Sequence, residues 1–192
     1  MRSEQSTISQ TAHARGSAGV LVGIGLVALL YRAQVLTLPG DGRAVAIACI
    51  LAAVLAASLL VPIPAELPRL RPSTALMLGL GAVGLATLFA GRPPRVTFAT
   101  WALPLSLLAG VAEEALFRRA TYGWLARYGA VVAVLGSAAL FAAIHLPFYG
   151  LTAMPVDLGA GLLLSWQRWA SGNWTVPAAT HAAANILAVI VR

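Results

Sequence analysis

The sequence predicts an all-α protein, a polytopic transmembrane helical bundle of about seven helices. Three observations carry that expectation. Hydrophobic residues make up 59% of the 192-residue chain and charged residues only 10%, whereas a soluble domain carries about 25% charged residues. The mean hydropathy is +0.84. Apolar runs of the length that crosses a bilayer, about 20 residues, recur along the chain between short stretches rich in proline, glycine and arginine. Such a chain has too little polar material to face water on all sides, and it is too apolar to be disordered.

Residues 1–16 contain Arg2, Glu4, His13 and Arg15 and read as a short, disordered polar tail. Residues 17–97 read as an accessory half of three helices. Its first run, Ser17–Leu38, is interrupted only by Arg32 and Gln34. It has no small-residue cleavage site of the signal-peptide kind, so it is expected to be a retained helix. A clean apolar run covers 44–63, the Pro-rich and charged stretch PAELPRLRP forms a loop, and a third run covers 73–90 before a second loop, GRPPR, at 91–95. Residues 98–192 read as the half that carries chemistry. Here the helices are interrupted by Glu113-Glu114, Arg118-Arg119 and Arg127, then by Ser137 and His145, and finally by His181 and Asn185. Turns are expected at Pro147–Pro155 and at 171–173, around a weaker segment 157–170.

The fourth helix poses a question of depth. If it starts just after Pro104, which a helix start tolerates, and runs to Arg127, Glu114 lies roughly 20 Å from that end at 1.5 Å per residue. His145, counted from Gly129, then lies at a comparable depth of roughly 24 Å. The long helix therefore sets Glu114 and His145 side by side across a hairpin and carries Arg118 into the bundle.

The net charge of +7 is made entirely by arginine, 13 of them against 6 acidic residues. They are scattered at the ends of apolar runs. A nucleic-acid site needs a clustered basic face, so no nucleic-acid partner is expected; flanking arginines instead match a bilayer. The single cysteine, Cys49, excludes an internal disulfide and a multi-cysteine metal site.

Ionisable residues inside a membrane are costly and mark function or a wet interior. They fall here into three groups on three helices: Glu113-Glu114 with Arg118, Phe141 with His145, and His181 with Asn185. The i,i+4 spacing places each of the last two pairs on one helical face. Glu113 and Glu114 point about 100° apart, which gives them different tasks. Singly, each group is explained by an ion pair, a packed histidine or an interhelical hydrogen bond. Together, two of the three histidines and two of the six acidic residues on helices able to converge favour a reaction centre. A carboxylate in apolar surroundings is a stronger base. A glutamate and a histidine can hold and deprotonate a water, while a second histidine and an asparagine can donate to a developing oxyanion. That set suits peptide hydrolysis. No GxSxG elbow supports an acyl-enzyme and no HExxH supports a zincin. Zinc on His145, His181 and either Glu113 or Glu114 stays open as the alternative to a site without cofactor.

The three motifs in this order, Glu113-Glu114-x-x-x-Arg118, Phe141-x-x-x-His145 and His181-x-x-x-Asn185, resemble those of the CPBP family of glutamic-type intramembrane proteases. That family includes CAAX prenyl endopeptidases and bacteriocin-processing and immunity relatives, and is also called ABI. The resemblance covers roughly residues 98–192 and extends to SGNWTVPAATHAAAN. It implies that Glu113 activates water with His145, that His181 and Asn185 stabilise the oxyanion, and that Glu114, Arg118 and Phe141 support the site. Arg119 departs from the glycine that many members have there, which bears on local packing. The implied substrate is a membrane-embedded or membrane-associated protein or peptide, such as a leader, a pheromone or a sorting tail. The high Ala and Arg content without Lys points to a bacterial inner (plasma) membrane, and the arginine distribution slightly favours a cytoplasmic N-terminus. Two other classes stay open: a non-catalytic scaffold or immunity protein, and a proton-coupled carrier, although no inverted repeat of the carrier kind is present.

Overall fold

The computed structural model describes the backbone of residues 2–40, 42–63, 66–89 and 101–190, with side chains from residue 16 to 189 within those ranges. Three long helices come first: α1 (Arg2–Leu36), α2 (Gly42–Leu60) and α3 (Pro72–Phe89). The helix α4 (Ala102–Glu114) passes without a break into a π-helical segment (Ala115–Thr121), the short α5 (Tyr122–Leu125) and a final 3-10 turn (Ala126–Tyr128). Then come α6 (Ala130–Tyr149), a 3-10 turn (Leu151–Ala153), α7 (Met154–Ser171) and α8 (Thr175–Ile190). No strand occurs among the described residues.

Most of the expected spans are found, with shifted ends. The polar stretch 2–15 continues α1 rather than forming a separate tail; it contains no glycine or proline to interrupt a helix. The fourth helix runs to the 3-10 turn, as depth-matching requires, but starts at Ala102, so Pro104 sits in the first turn where its missing N–H costs nothing. Helix α6 carries Pro147 inside its last turn and stops only at Tyr149, which shortens the expected turn. The GRPPR loop lies outside the described residues.

Four described helices, Gly16–Leu36, Gly42–Leu60, Pro72–Phe89 and Ala130–Tyr149, are long and apolar enough to span a bilayer. Their outward faces present large apolar side chains, among them Val45, Leu60, Leu88, Phe89 and Val131. An aqueous surface would not support such a face over several helices; lipid does. The protein is an integral membrane protein.

Helix α4 lies at the centre of the bundle, against α2 on one side and α8 on another, while its π-helical continuation meets α1, α2 and α6. The buried stripe of α2, formed by Ile47, Leu51, Val54 and Ser58, follows the i, i+4, i+7 pattern of one helical face. It joins Leu29 and Val35 of α1, Ala112, Leu116 and Phe117, and Phe141 and Ile144 of α6 in one apolar core. The core thus runs across the two halves that the sequence suggests. Arg119 closes the end of α2: its Nη1 donates to Val61 O at 2.8 Å and also to Ser58 O. Carbonyls at a helix C-terminus lack intrahelical partners, and the Arg119 guanidinium supplies them here. Arg119 therefore has local work here.

The loop after α2 is fastened to the end of α7. Arg69 N and Leu70 N both donate to Ala170 O, at 2.8 and 2.9 Å, and Arg69 Nη1 donates to Trp169 O at 2.9 Å. Helices α6 and α7 approach closely at Gly161, where a Cβ would lie 2.9 Å from Ala138 O and 3.1 Å from Ala138 Cα. Small residues permit such backbone contact between membrane helices. Gly161→Ala is expected to force α6 and α7 apart and to lower stability by about 1–3 kcal/mol, the usual range for overpacking. Thermal unfolding in detergent checks this, with Gly159→Ala, which meets open space on the same helix, as the near-neutral control.

Candidate active site

The central helix supplies the acidic pair. Glu113 and Glu114 end its α-helical part, and both are buried. From Ala115 the helix widens into the π form, which is often found at functional sites. The hydrogen-bond pattern of this segment leaves room for outside donors. Ser137 Oγ donates to Phe117 O at 2.8 Å, and Arg168 Nε donates to Arg118 O at 3.0 Å. Arg168 is fully buried, lies 4.9 Å from the Tyr122 ring centroid and reaches Glu66 Oε2 at 3.3 Å.

The two glutamates face different partners, as their angular separation requires. Glu113 turns toward α1 and α6. Its Oε1 accepts from Arg32 Nη1 at 2.8 Å, and its Oε2 lies 3.6 Å from His145 Nε2. Glu114 turns toward α8 and down its own helix. Its Oε1 accepts from His181 Nδ1 at 2.9 Å, and its Oε2 lies 3.2 Å from Arg118 Nε. This last contact is an ion pair without the alignment of a hydrogen bond, since neither atom has a hydrogen-bond partner among the described residues. Arg118 donates through Nη2 to Gly161 O at 3.2 Å. Its guanidinium also lies 4.6 Å from the Phe141 ring centroid and 5.7 Å from that of Phe117, so aromatic faces meet part of a buried charge.

Phe141 is the common neighbour of these groups. Its ring centroid is 4.4 Å from that of His145 and 5.9 Å from that of His181. One turn further along α6, His145 Nδ1 donates to Phe141 O at 2.7 Å, and the imidazole stacks on Tyr149 at 5.7 Å and 9°. Asn185 reaches α4 where Gly110 leaves space: a Cβ there would meet Asn185 Nδ2 at 3.1 Å and the His181 ring at 3.6 Å. The Asn185 amide donates to Ser106 O at 2.8 Å.

All seven residues singled out from the sequence, Glu113, Glu114, Arg118, Phe141, His145, His181 and Asn185, thus belong to one set of contacts on α4, its π-helical extension, α6 and α8. The set divides into a Glu113–His145 pair and a Glu114–His181 pair. Among the described residues no three histidine, cysteine or carboxylate side chains are grouped as a metal ion's ligands would be.

The sequence model of the type II CAAX prenyl endopeptidase Rce1-like family matches residues 95–187. The match makes this part of the chain similar to that family. All seven of those residues lie within the matched segment. No curated protein and no solved structure matches the chain.

Two residues of the arrangement escaped the sequence reading. Arg32 lies outside the segment matched to the Rce1-like family, yet its guanidinium touches Glu113. The signal was present: an arginine interrupting an apolar run is as unusual as a glutamate doing so. Arg168 carried a weaker signal, because α7 is more polar and a charged residue near its end resembles an ordinary flanking arginine.

Arg118→Ala removes the cation beside a fully buried carboxylate, and breaking a buried pair in this way costs roughly 3–5 kcal/mol. The variant is expected to show a large fall in folded yield and Tm, measured by size-exclusion chromatography and thermal unfolding in detergent. Arg118→Ala/Glu114→Gln, which removes both charges, is expected to recover part of that loss. Abundant, stable Arg118→Ala protein without activity would instead assign Arg118 a direct part in the reaction.

Proposed function

We propose that the protein is an intramembrane endopeptidase in which Glu113 activates the water that attacks the peptide bond of a membrane-embedded or membrane-associated substrate. The observation that supports this most is the approach of Glu113 Oε2 to His145 Nε2 at 3.6 Å while His145 Nδ1 is committed to Phe141 O at 2.7 Å. A neutral imidazole that donates through Nδ1 carries a lone pair on Nε2. Two acceptors at that separation suit one water that donates a hydrogen to each. The water's own lone pair is then free for a carbonyl carbon. As the carbon–oxygen bond forms, Glu113 takes the proton, and it returns that proton to the leaving amine when the carbon–nitrogen bond breaks.

The oxyanion formed in that step needs donors placed in advance. His181, held through Nδ1 by Glu114, offers an Nε2–H in its doubly protonated form. Asn185 has a second amide hydrogen beyond the one given to Ser106 O. In this reading Glu114 and Arg118 orient the donor side of the site, Phe141 separates the two imidazoles, and no cofactor takes part. The proposed setting is a bacterial inner membrane with the N-terminus in the cytoplasm.

The experiment is reconstitution of the full chain in liposomes with two quenched-fluorescent probes. One is a farnesylated peptide ending in a C-a-a-X motif, the substrate class that the matched family's description names. The other is an unprenylated apolar transmembrane peptide. Cleavage of at least one is expected, with the rate falling in acid as the base becomes protonated. Glu113→Gln is expected to abolish turnover while leaving probe binding largely intact, and His145→Ala to be similarly severe. Asn185→Ala is expected to lose roughly 10²–10³-fold in kcat, the usual cost of one oxyanion donor. Stoichiometric zinc, with activity lost to a chelator and restored by zinc, would overturn the cofactor-free mechanism and place the ion on His145, His181 and one glutamate. No cleavage of either probe by well-folded wild-type protein would favour a non-catalytic scaffold.

A further inference from the structure

We propose that Arg32 of α1 is a positioning residue of the catalytic centre: by holding Oε1 of Glu113 it presents Oε2 to His145, and it ties that arrangement to the docking of α1. The inference rests on the proposed role of Glu113 as the base. A glutamate carboxylate turns about a broad terminal torsion, so its two oxygens are interchangeable unless one is held. Arg32 Nη1 holds one at 2.8 Å, with both side chains nearly buried. Such a charge-assisted bond is stronger than a neutral one.

The same guanidinium lies 4.9 Å from the Phe148 ring centroid. Phe148 in turn neighbours His145, with ring centroids 6.3 Å apart. Arg32 therefore touches the base directly and borders its imidazole partner, from a helix that packs against the π-helical segment and α6. It also completes the charge pattern. Glu114 has Arg118 on its own helix, whereas the guanidinium paired with Glu113 comes from α1. The contact is made through one nitrogen, and Arg32 Nε is buried without a hydrogen-bond partner among the described residues. A lysine, which is a point charge rather than a fork, can supply the same single contact in part.

The test uses the full chain in liposomes with the farnesylated C-a-a-X peptide and the apolar transmembrane peptide as probes, rates being normalised to folded protein. Arg32→Met is expected to lower kcat roughly 10²-fold, the scale of a small misplacement of a reacting group, with KM changed less than about threefold, because the group lost orients the base and does not bind substrate. Arg32→Lys is expected to recover about tenfold of that loss. Arg32→Gln, which keeps a donor without charge, serves if Arg32→Met does not fold and is expected to lie between the two. A second measurement does not depend on cleavage. The Tm losses of Arg32→Met and Glu113→Gln are expected to be non-additive, the double variant losing less than the sum, as for residues in contact.

Unchanged or raised kcat in Arg32→Met, or equal loss in Arg32→Lys and Arg32→Met, would overturn the positioning role while the endopeptidase reading stands. Additive Tm losses would overturn the contact itself. Wild-type protein that cleaves neither probe would overturn the endopeptidase reading and the positioning role with it, even where the Tm losses are non-additive.

Discussion

Two carboxylates buried side by side in a membrane bundle are the constraint around which the rest of this structure is arranged. An unpaired carboxylate in that environment is expensive enough to unfold or neutralise itself. Each of the two therefore has its own guanidinium and its own imidazole: Arg32 and His145 for Glu113, Arg118 and His181 for Glu114. Those four partners come from α1, α6, α8 and the central helix itself. Satisfying the pair thus ties these helices to one another.

The arrangement also relates chemistry to stability. Helix α4 contributes both glutamates and also much of the central packing surface, so the site is not a decoration on a completed core. Leu116 and Phe117 face the apolar core while Glu113 and Glu114, a turn earlier, face the polar groups. Beyond them, Arg119 closes the end of α2 and Arg168 holds a carbonyl of the π-helical segment. Arginine serves all these positions because it stays charged and reaches several acceptors at once.

Much of this was legible in the sequence. The apolar runs gave the helices because a bilayer leaves few other ways to satisfy a backbone. The depth argument gave a long fourth helix and brought Glu114 level with His145, since both follow from rise per residue alone. The motif residues stood out because polar groups are rare in such runs. What stayed hidden was of a different kind. Arg32 is separated from Glu113 by most of the accessory half, and no helical period links them; only tertiary packing does. The π form of 115–121 leaves no mark in composition, for Ala-Leu-Phe-Arg-Arg-Ala-Thr is an ordinary helical string. The division of the site into two carboxylate–imidazole pairs was half visible. The angle between adjacent residues separated the glutamates, but which histidine each would meet depends on where α6 and α8 lie.

The π-helical segment has a consequence for how such a chain can change. A π segment holds one residue more than an α-helix of the same span needs. A chain that shed a single residue between Ala115 and Thr121 would regain the tighter ladder of an α-helix, and by propensity alone would make a better helix. Because the surplus residue is absorbed within the segment, Tyr122 and everything beyond it would keep much the same orientation relative to Glu113 and Glu114, but the tighter ladder would withdraw the carbonyls that Ser137 and Arg168 now hold. Local helical regularity and the bonds to neighbouring helices pull in opposite directions over these seven residues, so the value of the surplus residue lies in the carbonyls it frees for Ser137 and Arg168.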